Sequence, residues 1–585
     1  MKDFDLPNTF DETTKKNIHF WLNGHFDEKT KNEIRQLASN PQKLQNAFFK
    51  KLSFGTGGAR GIMGVGTNRI NKYTIRAIVQ GLANYLKKTA EKNSVIIGFD
   101  SRNNSSFFAK ECALVLVNNS IKAFLFKNPS PTPLVSFGCR YKKCSSAIMI
   151  TASHNPPEYN GIKIYWNDGG QILPPHDKNI ILEVNAIDDP SNIKVAKDDN
   201  SLIEIVDEEI IQAYLKKIRE IENFPDENKK NGHNLHIVYT PLHGAGMPLT
   251  PQALKMWGFN NLTLVEEQSS LDGNFPNAPI PNPEEEEALE MGIDVMLGKK
   301  ADILIATDPD ADRMGVVVNH KGVPIILTGN QIASILVEHI CLALSKKDFP
   351  KNSAFIKTIV TTELFAKIVK SFGKTTFDVL TGFKYIAEKI GSFEKNKDHT
   401  FIFGAEESLG FLRENFIRDK DGISASCLLA EVALLWKMQN KTLVDALHVL
   451  YQKYGIFRES LISLNFEEGK AGIDKMNRLM DILRKCPPKK FGPFKVNVQE
   501  DYKKREKFDL KTKQTTPIDL PASDVLRFFL EDDSKIVIRP SGTEPKIKIY
   551  IGVTMPQFSS LQSGIEECDE KLHSLKSALV NELGL

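Results

Sequence analysis

The 585-residue chain lacks the features typical of secreted, membrane-spanning and nucleic-acid-binding proteins. Its seven cysteines are scattered and form no CxxC pair, which favours reduced thiols and a cytoplasmic location. The opening stretch MKDFDLPNTFDETTKK has no apolar run, so we expect no secretory signal. No apolar stretch reaches the roughly 18 residues of a membrane span. The 76 basic and 73 acidic residues nearly cancel, so charge favours neither a nucleic-acid nor a membrane partner.

The common motifs of nucleotide binding, serine hydrolysis and zinc proteolysis are also absent. The glycine-rich segment FGTGGARGIMG (54–64) fits neither the GxxxxGK[ST] nor the GxGxxG spacing, although its Arg60 suits contact with an anion. Ser153 has no GxSxG elbow, and His154 is its immediate neighbour, so a hydrolase triad is not expected. No HExxH sequence occurs.

Strand-like and helical patterns alternate along most of the chain, which predicts βαβ units with mostly parallel sheets. In such sheets ligands bind beyond the carboxyl ends of the strands. A pattern of period two at 534–553 predicts a smaller antiparallel α+β domain at the C-terminus. In NPEEEEALE, Asn282 as cap and Pro283 as first residue predict a helix start. The strand-like runs are 94–100, 122–126, 145–150, 235–239, 301–307 and 401–404.

The loop ATDPDADRMG follows the apolar run at 301–307 and carries three alternating carboxylates, Asp308, Asp310 and Asp312. Oxygen ligands at this spacing favour a hard cation such as Mg²⁺. An EF-hand is excluded, because Arg313 stands where that loop needs glycine. The alternative is a polar turn with helix-capping aspartates.

Two further loops offer groups for a polar ligand. In FGAEESLGF (403–411), Glu406 and Ser408 suit neighbouring sugar hydroxyls, although two acids and a serine are common in ordinary loops. In TGFKYI (381–386), Lys384 follows a strand-like run and suits an anion.

A candidate phosphate cradle lies at IRPSGTEPK (538–546). Its arginine can bind an anion bidentately, and the turn behind it supplies hydroxyls and successive backbone N–H groups. An ordinary turn is the alternative. The residues concerned are Arg539, Ser541, Gly542 and Thr543.

Taken together, the motifs TASHNP with NGIK, DPDADR, GAEES and RPSGTEP stand in the order found in one family. Over almost its whole length the chain resembles the α-D-phosphohexomutases, and FGTGGARGIMG looks most like the branch of bacterial phosphoglucomutases and phosphopentomutase-type enzymes. The resemblance implies four domains around a central cleft, three of them α/β with mixed, mostly parallel sheets and the last a smaller α+β domain. The expected limits are 1–208 with the phosphoserine loop, 209–326 with the metal loop, 327–453 with the sugar loop and 454–585 with the phosphate loop.

The resemblance also implies roles for individual residues. Ser153 would be phosphorylated, and its phosphate would complete the Mg²⁺ shell with the three aspartates. Some bacterial members carry a histidine soon after the Glu-x-Ser motif, where this chain has Gly410 and Phe411, so the proton-transferring group stays open among Lys163, His154 and Lys420. The implied catalytic group also includes Arg60. The implied substrate contacts are Arg313, Thr381, Gly382, Lys384, Glu406 and Ser408, and the phosphate contacts are Arg539, Ser541, Gly542 and Thr543.

The expected function is that of a phosphosugar mutase, an intramolecular phosphotransferase that interconverts hexose 1- and 6-phosphates through a bisphosphorylated sugar. Glucose phosphates are the expected substrates, with mannose phosphates as possible additional ones. The alternatives are a phosphopentomutase acting on (deoxy)ribose phosphates, a glucose-1,6-bisphosphate synthase and a non-catalytic sugar-phosphate-binding homologue. We expect one Mg²⁺ per active site, a bisphosphorylated sugar as activator, small sugar phosphates as partners and a monomer or dimer.

Overall fold

The computed structural model describes residues 6–55, 57–89, 93–347, 349–467, 470–541 and 546–582. The chain divides into two compact units. The first comprises Met1–Leu327, Ala387–Lys397 and Leu409–Leu435. The second comprises Thr328–Ile386, Asp398–Ser408 and Trp436–Leu585.

Three helices precede the first sheet, and each begins at a polar cap. Asp11, Asp27 and Asn40 accept hydrogen bonds from backbone N–H groups of the following turn. The helices enclose an aromatic cluster that includes Trp21 and Tyr73. Their bounds are α1 (Glu12–Asn23), α2 (Glu28–Leu37) and α3 (Pro41–Phe48).

A seven-stranded sheet in the order β1-β2-β6-β5-β3-β4-β7 forms the next domain. Its β5-β3-β4-β7 half is parallel, and β1, β2 and β6 pair antiparallel. Strand β5 is wholly buried and ends just before the loop that carries Ser153. The elements are β1 (Phe54–Gly55), β2 (Gly58–Ile62), α4 (Lys72–Thr89), β3 (Ser94–Phe99), α5 (Ser105–Asn118), β4 (Lys122–Phe126), α6 (Thr132–Tyr141), β5 (Ser146–Ile150), β6 (Tyr159–Trp166), α7 (His176–Asn185), β7 (Ile203–Val206), α8 (Glu208–Arg219) and α9 (Pro225–Asn231).

The second sheet of the first unit has the order β12-β11-β10-β8-β9, with β10, β8 and β9 parallel. Buried β10 leads into the aspartate loop, and β11 returns antiparallel to it. The predicted helix start at Asn282 is wrong: the Asn282 side chain accepts the Glu284 N–H in a turn, and α11 begins at Glu286. The elements are β8 (Ile237–Thr240), α10 (Leu249–Met256), β9 (Leu262–Leu264), α11 (Glu286–Gly298), β10 (Ile303–Thr307), β11 (Met314–His320) and β12 (Val323–Leu327).

The third domain contributes parallel strands in the order β14-β13-β15 to the second unit. Helices α14 and α15 each contain residues of both units, and β16 belongs to the first. The elements are α12 (Gly329–Ser345), β13 (Ser353–Thr358), α13 (Glu363–Ser371), β14 (Thr375–Val379), α14 (Phe383–Asn396), β15 (Thr400–Glu406), β16 (Gly410–Leu412), α15 (Gly422–Lys437) and α16 (Leu443–Tyr454).

The last domain is an antiparallel sheet in the order β17-β24-β23-β22-β19-β20-β21, with β18 paired to β19. The period-two segment forms β23 and β24, so the predicted α+β domain is confirmed. The elements are β17 (Ile456–Asn465), α17 (Lys470–Lys485), β18 (Lys490–Phe491), β19 (Phe494–Asp501), β20 (Glu506–Asp509), β21 (Thr515–Pro517), β22 (Leu526–Leu530), β23 (Lys535–Pro540), β24 (Lys546–Met555) and α18 (Leu561–Glu582).

A buried ionic cluster joins the last two domains within the second unit. Lys357 and Lys535 both contact Glu363 Oε1, at 3.0 and 2.7 Å. Both lysine side chains are buried, with 1 and 4 % of their surface exposed. Arg527 adds a contact of 2.8 Å to Asp378 Oδ2. Because β23 supplies Lys535 and α13 supplies Glu363, the cluster attaches the last sheet to the third domain.

Replacing Glu363 with glutamine should lower the free energy of unfolding of this unit by about 2 kcal/mol, because two buried ammonium groups lose their shared carboxylate. Urea unfolding of the full chain measures the change. Glu338→Gln is the control: Glu338 pairs with the half-exposed Lys453, so its loss should cost below about 1 kcal/mol. Equal effects of the two substitutions would contradict the importance of the cluster.

Candidate active site

Ser153 lies three residues beyond the carboxyl end of β5 and is 3 % exposed. The Ser153 backbone has φ 52°, a left-handed conformation that is unusual for serine. Such a conformation costs free energy and persists only where the surrounding contacts hold it. The Ser153 N–H donates to Thr151 Oγ1 at 2.8 Å, and Ser153 Oγ donates to Asp308 Oδ2 at 2.9 Å. His154 Nδ1 lies 3.2 Å from the same Oγ. The carboxylate that accepts the Ser153 hydrogen bond is thus 155 residues away in sequence.

The three predicted metal ligands, Asp308, Asp310 and Asp312, converge at the end of β10. Each offers an oxygen within 4.8 Å of the others, and all three side chains are buried. The Oδ1 atoms of Asp310 and Asp312 accept no hydrogen bond from any described residue. Buried carboxylate oxygens with unused lone pairs are the ligands that Mg²⁺ prefers, so the residues present fit this ion.

Two lysines face the triad. Lys163 Nζ, from β6, lies 2.7 Å from Asp310 Oδ2 and 3.0 Å from Asp312 Oδ2. Lys420 Nζ lies 3.1 Å from Asp312 Oδ2. Burial disfavours the charge of Lys163, but Asp310 and Asp312 outweigh burial and raise the pKa of Lys163 above its usual value.

The pKa values of the three carboxyls shift in different directions, up for Asp308 and down for Asp310 and Asp312. Burial, followed by Asp310 and Asp312, raises the pKa of Asp308 well above its usual value. Burial acts in the same direction on Asp310, but Lys163 outweighs it and lowers the pKa of that carboxyl. A bound divalent cation would offset the repulsion that Asp308 experiences.

The remaining predicted members of this group lie around the serine. Arg60, on β2, donates from Nη1 to Asn155 Oδ1 at 2.6 Å. Burial and the nearby Arg313 and Arg60 lower the pKa of His154 well below its usual value. The backbone N–H of Arg313 donates to Asp308 Oδ1 at 3.0 Å.

Sequence reasoning missed the side chains that hold Lys420 in place. Asp419 accepts hydrogen bonds from Tyr165 OH at 2.8 Å and Gln171 Nε2 at 3.0 Å. The Gly422 N–H donates to Ala311 O at 3.1 Å, which joins this segment to the aspartate loop. The segment IRDKDG (417–422) alternates in charge, but this pattern does not specify a partner.

Thr132 was missed as well. It begins helix α6, and its Oγ1 and N–H donate to Asp310 Oδ2 and Asp310 O at 2.7 and 2.8 Å. The Pro131-Thr132-Pro133 sequence marks a helix start. Nothing local to it indicates a contact 178 residues away.

The predicted sugar-contact residues belong to the second unit, apart from Arg313. Glu406, at the end of β15, is 6 % exposed and accepts the Gly382 N–H at 2.9 Å. Gly382 has φ 120°, which favours glycine. Thr381 precedes it, and Lys384 lies in the first turn of α14 with its Nζ 5.0 Å from the Tyr385 ring centroid. Ser408 follows two residues after β15 and is partly exposed.

The predicted phosphate cradle begins at the end of β23. Arg539 lies in that strand, and the Ser541 N–H donates to Lys546 O at 2.7 Å. Burial and Glu407 raise the pKa of Tyr550, whereas Arg539 opposes the shift, which places its guanidinium near that ring. Gly542 and Thr543 lie outside the described residues.

Comparison with known proteins matches all four domains. The matches are to phosphoglucomutase/phosphomannomutase alpha/beta/alpha domain I at residues 51–191, domain II at 212–322, domain III at 328–454 and the C-terminal domain at 495–557. A phosphoglucomutase of Staphylococcus haemolyticus (strain JCSC1435) is 36 % identical over 523 residues, which cover 89 % of this chain and 94 % of that protein. One of Staphylococcus aureus (strain bovine RF122 / ET3-1) is 35 % identical over 548 residues, covering 93 and 97 %.

The fold is shared with solved structures at lower identity. Parafusin, a phosphoglucomutase from Paramecium in an open form, is 18 % identical with a TM-score of 0.66, covering 91 % of this chain and 96 % of that chain. A phosphoglucomutase/phosphomannomutase family protein from Burkholderia thailandensis is 19 % identical with a TM-score of 0.62, covering 89 and 96 %. The chain belongs to the phosphoglucomutase/phosphomannomutase family, that is, to the α-D-phosphohexomutases.

Proposed function

We propose that this protein is a phosphoglucomutase that interconverts glucose 1-phosphate and glucose 6-phosphate, with mannose phosphates as further substrates. The observation that carries the proposal is the 2.9 Å hydrogen bond from Ser153 Oγ to Asp308 Oδ2 inside a buried carboxylate triad. The relatives described above are named phosphoglucomutases, which does not favour the pentose-phosphate alternative.

The proposed reaction is a transfer of one phosphoryl group from Ser153 to a sugar hydroxyl. The bond from phosphorus to Ser153 Oγ breaks as the bond to the sugar oxygen forms, and the hydroxyl proton passes to a group of the protein. Mg²⁺ held by Asp308, Asp310 and Asp312 would supply charge stabilisation for the transferring oxygens. Lys163 and Lys420 add positive charge on the same side, where they already contact Asp312.

The three candidates for proton transfer differ in charge and position. Lys163 and Lys420 are ammonium donors to the carboxylates. His154 Nδ1 lies 3.2 Å from Ser153 Oγ, so we assign it the exchange of the proton with the reacting oxygens on the ground of its position. Arg60 would hold the serine loop through Asn155.

Once the sugar carries two phosphates, it must reorient in the site so that its other phosphate can be transferred to Ser153. During both halves of the cycle one phosphate is not being transferred, and we assign it to Arg539, Ser541, Gly542 and Thr543. The sugar hydroxyls would be held by Arg313, Thr381, Gly382, Lys384, Glu406 and Ser408. Glucose 1,6-bisphosphate would serve as activator because it can phosphorylate Ser153.

The proposal extends to the domain limits, location, partners and assembly of the whole molecule. We retain domain limits near residues 208, 326 and 453, supported by the four family matches. We retain a cytoplasmic location, supported by seven cysteines among which the structure has no disulfide. We retain small sugar phosphates as the partners and a monomer or dimer as the assembly. No helix among the described residues has the length and apolarity that crossing a bilayer requires.

Replacing Arg539 with alanine should raise KM for glucose 1-phosphate by about 10-fold or more, because a bidentate charged contact to the non-transferring phosphate is lost. Phosphorylation of Ser153 by glucose 1,6-bisphosphate should fall less. Steady-state kinetics and mass spectrometry of the phosphoprotein measure the two effects. Arg505→Ala, at an exposed arginine of the same domain, is the control and should leave KM unchanged. An unaltered KM in Arg539→Ala would remove this residue from the phosphate site.

The substrate is tested by comparing kcat/KM for the 1-phosphates of glucose, mannose, glucosamine and ribose on the purified protein. The proposal expects glucose 1-phosphate to rank first. A ribose 1-phosphate value above that for glucose would overturn the substrate assignment and leave the mutase chemistry in place.

A further inference from the structure

Arg102 follows β3 and donates hydrogen bonds to the backbone of the serine loop, the segment that carries Ser153 between β5 and β6. Its guanidinium donates to four carbonyl oxygens. Nη1 donates to Pro156 O at 2.8 Å and Tyr159 O at 3.1 Å, and Nη2 donates to Ser153 O at 2.7 Å and to Asn155 O. One side chain therefore connects the nucleophile, the turn after it and the start of β6.

The arginine is fixed by its own buried surroundings. It is 3 % exposed, and its Nε lies 3.4 Å from Asp100 Oδ2. Asp100 Oδ1 accepts the Arg102 N–H at 3.0 Å and Ser105 Oγ at 2.7 Å. The guanidinium carbon lies 4.9 Å from the centroid of the Phe275 ring. A planar fork with several donors can meet four carbonyls at once, which a lysine ammonium cannot do from one position.

The Phe275 contact links the serine loop to the domain that carries the aspartate triad. Asn103 Nδ2 donates to Asn274 Oδ1 at 2.8 Å. A Cβ on Gly273 would lie 2.2 Å from the Asn103 backbone nitrogen, so only glycine allows this approach. The Arg102 loop and the loop at 273–275 thus pack tightly.

We propose that Arg102 is a positioning residue for the phosphoryl-transfer step. It keeps Ser153 in its left-handed conformation, with Oγ directed at the triad, while touching no substrate. Four carbonyl dipoles directed at one cation compensate the strain of φ 52° at Ser153. The proposal rests on the proposed mutase function for its kinetic consequence, but the conformational consequence stands without it.

Arg102→Lys should lower kcat by about 100-fold, because a misdirected nucleophile loses the near-attack geometry. KM for glucose 1-phosphate should stay within about threefold, since the substrate contacts are elsewhere. Arg76→Lys is the matched control: Arg76 belongs to the same domain and pairs with Glu111, away from the serine loop. Its kcat should be unchanged.

Arg102→Ala gives a second test. Guanidinium ion at tens of millimolar should raise the kcat of this variant by about 10-fold or more, whereas sodium chloride at the same concentration should not. Hydrogen exchange of peptides covering 151–161 should speed up in both Arg102 variants and stay unchanged in Arg76→Lys.

The outcomes separate the two proposals. Normal exchange at 151–161, or a kcat per folded molecule equal to that of the unmodified chain, would overturn the role of Arg102. A fall in kcat fully explained by a smaller folded fraction would do the same. If the unmodified chain turns over no sugar phosphate, the proposed function fails, and the exchange measurement alone then decides whether Arg102 holds the loop.

Discussion

Ser153→Ala should reduce mutase turnover by about four orders of magnitude or more, because the alanine has no oxygen to carry the phosphoryl group. The loss should appear in kcat for every sugar phosphate that the enzyme accepts. The variant should still bind Mg²⁺ and glucose 1-phosphate, since the triad and the phosphate cradle are intact. A coupled assay with glucose 1-phosphate measures turnover, and calorimetry measures binding.

Ser39→Ala is the control for this substitution. Ser39 is exposed and its Oγ donates to Gln36 O at 2.8 Å within the same turn, so its loss should leave kcat unchanged. Turnover of Ser153→Ala within about 10-fold of the unmodified chain would exclude a covalent role for the serine.

Asp308→Asn should reduce turnover by about three orders of magnitude, because it removes the negative charge of one triad member and leaves one amide oxygen where the carboxylate offers two, for the metal and for Ser153 Oγ. Treating the unmodified chain with EDTA should abolish activity, and added Mg²⁺ should restore it. Mg²⁺ should also raise the Tm of the unmodified chain, since an ion that binds only the folded state stabilises it, and should raise that of Asp308→Asn much less.

The matched control is Asp294→Asn, an exposed carboxylate on α11 of the same domain. It should retain both the activity and the Mg²⁺-dependent rise in Tm. Full activity after chelation, or an equal rise in Tm for Asp308→Asn and the unmodified chain, would contradict the assignment of the triad.

The positions of Ser153 and of the aspartates were predictable from local sequence. Each follows a short apolar run, and the structure has buried strands there, β5 and β10. Ligands bind beyond the carboxyl ends of such strands, so each loop could be recognised by itself. The two strands belong to different sheets, so the local pattern did not predict that the loops meet. A strand can be predicted from apolar residues alone, because burial of side chains is what stabilises it.

The supports of the site were not predictable in the same way. Tyr165 donates a hydrogen bond to Asp419, which is 254 residues away in sequence. Thr132 donates to Asp310, which is 178 residues away. Such contacts depend on how whole domains pack, and no periodic pattern records them. Arg102 carries no motif that indicates its role, because it donates to backbone carbonyls, which any sequence supplies.

The start of helix α11 was also not predictable from the sequence, although only neighbouring residues are involved. Asn282 and Pro283 predicted a helix start, yet α11 begins at Glu286. The Asn282 side chain does accept a backbone N–H two residues on, that of Glu284 at 3.2 Å, but it closes a turn. The same local hydrogen bond satisfies a turn and a helix start, so sequence alone did not separate them.

The most direct test of the account is a chase of labelled phosphoenzyme. Ser153 is phosphorylated with ³²P, the protein is mixed with unlabelled glucose 1-phosphate, and both protein and sugars are sampled within one turnover. The account predicts that the label leaves Ser153 at a rate equal to or faster than kcat, appears in glucose 1,6-bisphosphate and then stays on glucose 6-phosphate, because the unlabelled phosphate returns to Ser153. Label that stays on Ser153 while glucose 6-phosphate accumulates would contradict it.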